Sequence, residues 1–308
     1  MSLNFCRIDE FMDAEILESY IKAGKAVSAV MNKSQEFIKE DMLLVDIAEK
    51  IENMIQEHGA MPGCPVNLSL NNKAAHFTPA KNDSTVFKKG DMLKIDITAH
   101  IDGYIADGSY TLCSDANQKK LLDASKKALD AVIEMCMPGA KLSKISAMIE
   151  EVIKGEGYKP IENLTGHGLD RFDLHAIPQV PNVSFNGDYL LEEDQVIAIE
   201  PFATNGDGRI RDTEEVMIFS FSELNPVRNM DARKIIDFVQ QYNGMPFAQR
   251  WIETGLNMNE FKTKIALREL VKNGVINTYP VLVEKKGSMV SQHEHSVIVR
   301  DDPVVLTK

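Results

Sequence analysis

The sequence has only four cysteines, Cys6, Cys64, Cys113 and Cys136, and no two stand close enough for a Cys-x-x-Cys zinc or redox site. They read as ordinary thiols of a reducing compartment, not as a disulfide framework. Basic residues are in deficit: 34 Lys and Arg against 46 Asp and Glu leave a formal charge of −12. A dedicated nucleic-acid binder usually carries a basic surface, so that class is disfavoured. No stretch reaches the roughly 20 apolar residues that span a bilayer. The opening Met1-Ser2-Leu3-Asn4-Phe5-Cys6-Arg7 lacks the basic start and apolar run of a secretion signal. A Gly-rich phosphate loop of either common type is missing, as are short-period repeats and low-complexity tracts. These absences leave a cytoplasmic globular protein, expected to have neither a membrane nor a nucleic-acid partner. With 44% hydrophobic residues it can bury a large core, as one big domain or two modest ones.

Apolar residues at three- and four-residue spacing predict helices over 8–30 and 36–58, the second stopped at Gly59. Pro, Gly and Asn then divide 61–79 into short strands and loops. Residues 92–112 predict a hairpin, 119–135 an amphipathic helix ended by Pro138-Gly139, and 142–154 a helix closed by Gly155 and Gly157. Strands are predicted at 195–200 and 215–219. From about Ser222 the texture changes to short helices over 232–242, 247–254 and 259–272, then an extended 275–284. This fits an inserted helical subdomain that ends before the last strand, 288–300. Helix pairs alternating with strand groups point to an α+β domain, not a doubly wound one.

The sharpest local feature is the run from Leu93 to Asp107. Asp102-Gly103 between two β-prone runs is a strong two-residue hairpin turn. In that register Ile101 pairs with Tyr104 and Thr98 with Asp107, and alternation puts Asp96 on the face of Thr98. Asp96 and Asp107 become diagonal neighbours, their backbones roughly 7–8 Å apart. Two carboxylates meeting on a mostly apolar hairpin repel and resist leaving water. Either a cation lies between them or one turns to solvent at a sheet edge.

Other acids and histidines add to the set. Gly166-His167-Gly168 and Leu174-His175-Ala176 place two histidines eight residues apart, although a lone histidine is more often a satisfied polar residue than a ligand. Glu200 closes the apolar run Val196-Ile197-Ala198-Ile199 before Pro201, an unusual place for an unpaired acid. If 288–300 is a strand, Glu294 points opposite to His293 and His295, so the three form no cluster. His58 belongs to a helix end, and His100 shares the Asp96 face but lies about 13 Å along the strand. Four carboxylates with one imidazole form a hard-oxygen set suited to Mn, Fe(II), Co or Zn in a bridged pair, unlike the sulfur and nitrogen of structural zinc. Such a pair acidifies a shared water and polarises a carbonyl, the requirement for peptide hydrolysis.

The order and spacing of several motifs together resemble the type II methionine aminopeptidases in their short archaeal form. These are Asn71-Asn72-Lys73-Ala74-Ala75-His76, Lys94-Ile95-Asp96 through Ile105-Ala106-Asp107, Gly166-His167, Leu174-His175-Ala176, Ala198-Ile199-Glu200-Pro201 and Gln292-His293-Glu294-His295. The resemblance covers essentially the whole chain. It implies the pita-bread fold, with a catalytic domain of 1–221 completed by 286–308. It also implies that 222–285 is an inserted helical, winged-helix-like subdomain, where Phe247-Ala248-Gln249-Arg250-Trp251 and Asn277-Thr278-Tyr279-Pro280 look like insert motifs.

Carried over residue by residue, Asp96 would chelate one of two divalent ions, Asp107 and Glu294 would bridge both, and His167 and Glu200 would hold the second. Glu200 would also take the proton of the attacking water. His76 and His175 would hydrogen-bond the substrate and stabilise the tetrahedral intermediate, with Tyr279 as a further substrate contact. His76 is also where this family is alkylated by epoxides. The implied activity is removal of the initiator methionine from nascent polypeptides when the next residue is small. The implied agent is a monomer, with the ribosome as a candidate partner.

The sequence departs from the family pattern at Cys64, where an aromatic residue usually precedes the proline. It departs again at Gly108-Ser109, where Thr-Ala is common, and at Ala176-Ile177-Pro178, where Ala-Gly-Lys is commoner. These bear on pocket shape, not on the reaction. Two other readings share the fold. A non-catalytic ribosome- or RNA-binding homologue would have lost ligands, and an Xaa-Pro-directed aminopeptidase would lack the insert motifs.

Overall fold

The computed structural model describes residues 12–308; Cys6 and the expected start of the first helix, 8–11, lie outside the described residues. Helix α1 (Ala14–Phe37) begins at Asp13, whose carboxylate accepts the Glu15 N–H. It runs past the expected end, and helix α2 (Leu44–Glu57) starts later than expected, with His58 as its C-cap. The break between them is made by distant chain. Ile38 turns extended, Leu43 bridges Val86, and the N–H groups of Asp41 and Leu44 donate to the carbonyls of Phe87 and Thr85. A second helix pair, α3 (Lys119–Val132) and α4 (Leu142–Gly155), follows the hairpin.

That hairpin, Met92–Ile101 with Tyr104–Cys113, lies in a nine-stranded sheet. Its register is the one counted out from the turn: Ile101 faces Tyr104, Thr98 faces Asp107, and Asp96 faces Ser109. Asp102 and Gly103 both have positive φ, 52° and 91°, as a tight turn matched to twisted strands requires. Beyond the second hairpin strand come Glu294–Ile298, Val196–Ile199, Thr165–Asp170 and Asp173–Pro181, all antiparallel.

Cross-strand partners share a face, so Ile97, Gly108, His295 and Ile199 mark one side of this sheet. Both helix pairs cover that side. Val27, Val30, Ile47 and Ile51 pack with Ile95, Ile97 and Tyr110, while Leu121, Ala128, Ile145 and Ile149 pack with Ile197, Ile199 and Val297. The same plan of helix pair on antiparallel strands is used twice, leaving the opposite face of the sheet free for chemistry.

The single strand expected over 288–300 is in fact two. Val290–Gln292 pairs with Phe202–Thr204 in a three-stranded sheet, and Glu294–Ile298 joins the large one. The chain crosses between sheets at His293, where the Thr111 hydroxyl bonds both the N–H and the carbonyl of Gln292.

A four-stranded sheet of Phe247–Ala248, Arg211–Phe221, Ile276–Val283 and Lys73–Ala75 carries α5 (Met230–Val239), α6 (Gln249–Gly255) and α7 (Glu260–Lys272). Their apolar sides close over Phe219, Phe247 and Ile252 as a core of their own. The helix expected from 247 begins only at Gln249. Phe247 is fully buried, stacked on Phe219 at 6.1 Å, and its backbone pairs with that strand instead. A buried ion pair joins Arg250 to Glu52, and Trp251 Nε1 donates to the same carboxylate at 2.9 Å, tying α6 to α2. Among the described residues no helix is long and apolar enough to cross a membrane.

Candidate metal centre

Asp96, Asp107, His167, Glu200, Glu294, His76, His175 and Tyr279 all line one cavity of about 210 Å³. It opens on the sheet face away from the helix pairs, and strand alternation delivers its acids. Asp96 and Glu294 stand level with Ser109 from opposite sides of it, and Asp107 lies two residues back along the same strand. His167 pairs with Ala198, two residues before Glu200. Gly166 and Gly168 let the His167 strand approach this closely. A Cβ on them would sit 2.3 Å from the Ala198 carbonyl oxygen and 2.2 Å from that of Ile177.

Among the described residues, Asp107, His167 and Glu294 have ligand atoms within 4.8 Å of one another. Asp96 and Glu200 flank that group. Burial pushes all four carboxyls up, Asp96 to about 6 and the others well above the usual carboxylate range. The Asp96 charge raises Asp107 further, Asp96 and Asp107 raise Glu200, and Asp107, Glu200 and Asp96 raise Glu294. No Lys or Arg bonds any of them among the described residues, and Glu294 Oε1 is buried without a hydrogen-bond partner.

The histidine facing these acids is neutral. Burial, helped by His175, pulls the His167 pKa down to about 3. Its Nδ1 lies 3.1 Å from the Gly168 carbonyl, which can only accept, so Nδ1 holds the proton and Nε2 presents a lone pair. That lone pair faces Glu200 Oε1 at 3.5 Å, acceptor against acceptor. Facing acceptors beside an unpartnered carboxylate oxygen call for a cation between them. The donor set therefore fits divalent metal.

His76 follows the strand Lys73–Ala75 with a left-handed φ of 63°, uncommon for a residue with a side chain and typical of functional positions. Burial, then His175, pulls its pKa to about 4. Its Nδ1 lies 3.3 Å from the Pro280 carbonyl, which leaves Nε2 as the free acceptor. Tyr279 packs edge-on to His76 at 5.7 Å and lies 5.9 Å from His175, ring centre to ring centre. Cys64, Leu174, Phe202, Ile218 and Pro246 supply apolar wall. Met245 belongs to the same apolar cluster as Cys64, Ile218 and Leu174, so the loop 245–246 supplies bulk around the small Cys64 side chain.

The remaining histidines stay outside. His100 accepts the Gly103 N–H and packs on Phe172, while His293 and His295 bond Ser125 and Thr307. Gln292 is a site residue that the sequence reading leaves out. Its Nε2 lies 3.3–3.4 Å from oxygens of Asp96, Glu200 and Glu294. The alternation that sets Glu294 against its flanking histidines also puts Gln292 on Glu294's side, so the signal is present in the pattern.

The fold and the centre together define a metallopeptidase. Residues 18–219 match the model of metallopeptidase family M24. Over 297 residues the chain is 43% identical to a methionine aminopeptidase of Archaeoglobus fulgidus, covering 96% of this chain and 99% of that one. The chain belongs to family M24 and, within it, to the methionine aminopeptidases. It is accordingly a divalent-metal hydrolase with methionyl aminopeptidase activity. Two solved structures show the pita-bread α+β fold. A thermophilic Arx1 superposes with a TM-score of 0.84 at 20% identity, covering 96% of this chain and 91% of that one. A methionine aminopeptidase from Thermotoga maritima does so with a TM-score of 0.70 at 22% identity, covering 97% and 98%.

Proposed function

We propose that the chain removes the initiator methionine from nascent polypeptides whose next residue is small, using two divalent ions held by Asp96, Asp107, His167, Glu200 and Glu294. One observation carries this assignment. His167 Nε2 and Glu200 Oε1 face each other as acceptors 3.5 Å apart, next to a Glu294 oxygen with no partner. Divalent ions bound there supply a Lewis acid for the scissile carbonyl and make water nucleophilic at neutral pH. Co, Mn, Fe(II) and Zn all suit this donor set.

The chain's own groups divide the remaining work. Asp107 and Glu294 stand on the two strands between that of Asp96 and those leading to Glu200 and His167, and would be the carboxylates that both ions share. Glu200, whose carboxylate reaches the centre beside His167, is placed to take the proton of the attacking water. His76, with Nε2 free as an acceptor, receives a hydrogen bond from a substrate N–H instead of donating to the oxyanion. Donation to the tetrahedral oxygen then falls to His175. Tyr279 packs against both rings, and the apolar wall from Cys64 to Pro246 takes the methionine side chain. On the same reading 222–285 is an inserted subdomain that lends Pro246 and Tyr279 to the cavity, its helices packing on Phe219 of the strand that leads into it. The enzyme works as a cytoplasmic monomer, with the ribosome as a candidate partner.

Methionine release from Met-Ala-Ser, assayed after metal removal and again after adding Co(II) or Mn(II), tests this directly. Release is expected only with metal and is expected to exceed cleavage of Xaa-Pro peptides. No release by freshly metallated protein sinks the assignment.

A further inference from the structure

Gln292 has no part in that scheme, yet it is the group three of the acids share. Its Nε2 lies 3.4 Å from Asp96 Oδ2, 3.3 Å from Glu200 Oε2 and 3.4 Å from Glu294 Oε2. The side chain is buried, and its backbone is fixed twice by one hydroxyl. Thr111 Oγ1 donates to the Gln292 carbonyl at 2.6 Å and accepts its N–H at 2.9 Å. An amide nitrogen has two protons, so three acceptors at these distances share them and none is locked into one short bond. The oxygens it engages leave their partners free for other duty. Glu200 Oε1 faces His167, and Glu294 Oε1 has no hydrogen-bond partner among the described residues.

We propose that Gln292 is a positioning residue of the metal centre, a neutral donor that holds one oxygen of each of three carboxylates and so turns the other towards the cations. The inference rests on the metal-centre assignment above. Neutrality is what makes the side chain suitable. A lysine or arginine in its place would satisfy the same oxygens but cancel the charge that draws metal, and a hydroxyl has one proton for three acceptors. Asp107, which Gln292 does not reach, has its own uncharged donor: Thr98 Oγ1 bonds its Oδ1 at 2.9 Å. Every acid of the centre thus has a neutral partner on one oxygen, as outer-shell groups commonly provide around metal ligands.

The test uses the full chain freed of metal, titrated with Mn(II) or Co(II) alone. Stepwise affinities are read by calorimetry and site geometry by the visible Co(II) spectrum. Gln292→Met keeps length and burial but removes the donor. It is expected to lose roughly 10–100-fold in affinity for at least one ion, with altered Co(II) bands. Gln292→Glu keeps the shape but replaces the donor with a further buried carboxylate. Its metal-free form is expected to melt below that of Gln292→Met, with the difference recovered on adding metal. Should either variant fail to fold, Thr111→Val leaves every acid and the amide in place while releasing the backbone clamp, and is expected to change the Co(II) spectrum in the same sense. Wild-type affinities together with a wild-type Co(II) spectrum in the folded variants overturn the inference while leaving the metal centre standing. If the unaltered protein binds neither ion, the metal-centre assignment fails and this inference fails with it.

Discussion

Towards α1 and α2 the central hairpin presents Ile95, Ile97, Ala106 and Tyr110; towards the cavity the same two strands present Lys94, Asp96, Thr98, Asp107, Ser109 and Thr111. Both sides are largely buried, so burial alone does not separate them. The helix side needs only volume and shape. On the cavity side each polar group must find a partner, and most do. Lys94 donates to the carbonyls of Asn71 and Val290, Thr111 clamps Gln292, and Thr98 bonds Asp107. Ser109 Oγ and, level with it on the next strand, Glu294 Oε1 are left without a partner among the described residues, so the deficit is concentrated beside the acids, where a ligand belongs. One strand pair thus carries stability on one side and binding on the other.

The hardest break of this contrast is on the acidic side. Asp107→Asn or Glu294→Gln should abolish methionine release and lower bound metal, with the fold kept by circular dichroism. Near-normal turnover would refute the shared-ligand roles. His76→Ala comes next, with an expected loss of roughly 10²–10⁴-fold in kcat/KM. Its metal content should stay near that of the unaltered enzyme, since no ligand atom is removed. Loss of both ions in that variant would mean that His76 is itself a ligand.

Breaking the opposite side should do the reverse. Ile97 is fully buried and opposite Gly108, where a Cβ would already lie 3.0 Å from Met31 Sδ, so the packing has little slack to close a cavity. Ile97→Ala should cost about 2–5 kcal/mol, seen as a lower midpoint in denaturant, with metal stoichiometry and KM retained in the folded protein. If metal content fell in parallel, the two sides would not be separable in the way the register implies.

How much of this is legible in the sequence depends on how local the cause is. A two-residue turn can be counted outward, so Asp102-Gly103 places Thr98 opposite Asp107 and brings Asp96 onto their face. Alternation likewise separates Glu294 from His293 and His295. The break after Phe37 is not legible, because apolar spacing runs on through it and the chain is drawn off by Val86. Nor is the crossing at His293, which depends on Thr111, or the strand at Phe247, which depends on Phe219. Long-range pairing overrides local pattern at each of these places. The division of labour among ligands is beyond the pattern altogether and comes from the family resemblance.

The smallest effect expected is on the stability of the metal-free protein against pH, and it needs a difference measurement. Burial raises the Asp96 carboxyl from 3.8 to about 6, so between those values the folded state binds more protons than the unfolded one. The charged form then penalises folding above about pH 6, and the penalty is relieved as pH falls through that value. Neutral buried histidines pull the other way. His167, His76 and His293 are lowered to about 3, 4 and 4, so they destabilise the fold as pH drops below the ordinary histidine range. A single melting curve therefore mixes opposite signs. Comparing the metal-free protein with Asp96→Asn cancels the histidines, which both forms share. The variant should melt higher at pH 7.5, and its advantage should shrink by pH 5, where Asp96 is protonated in the folded state. Ile97→Ala should lower the melting temperature at both pH values without closing that gap. An advantage for Asp96→Asn that does not change with pH would show that its carboxylate is not held charged against burial, and would remove the electrostatic half of the contrast between the two sides.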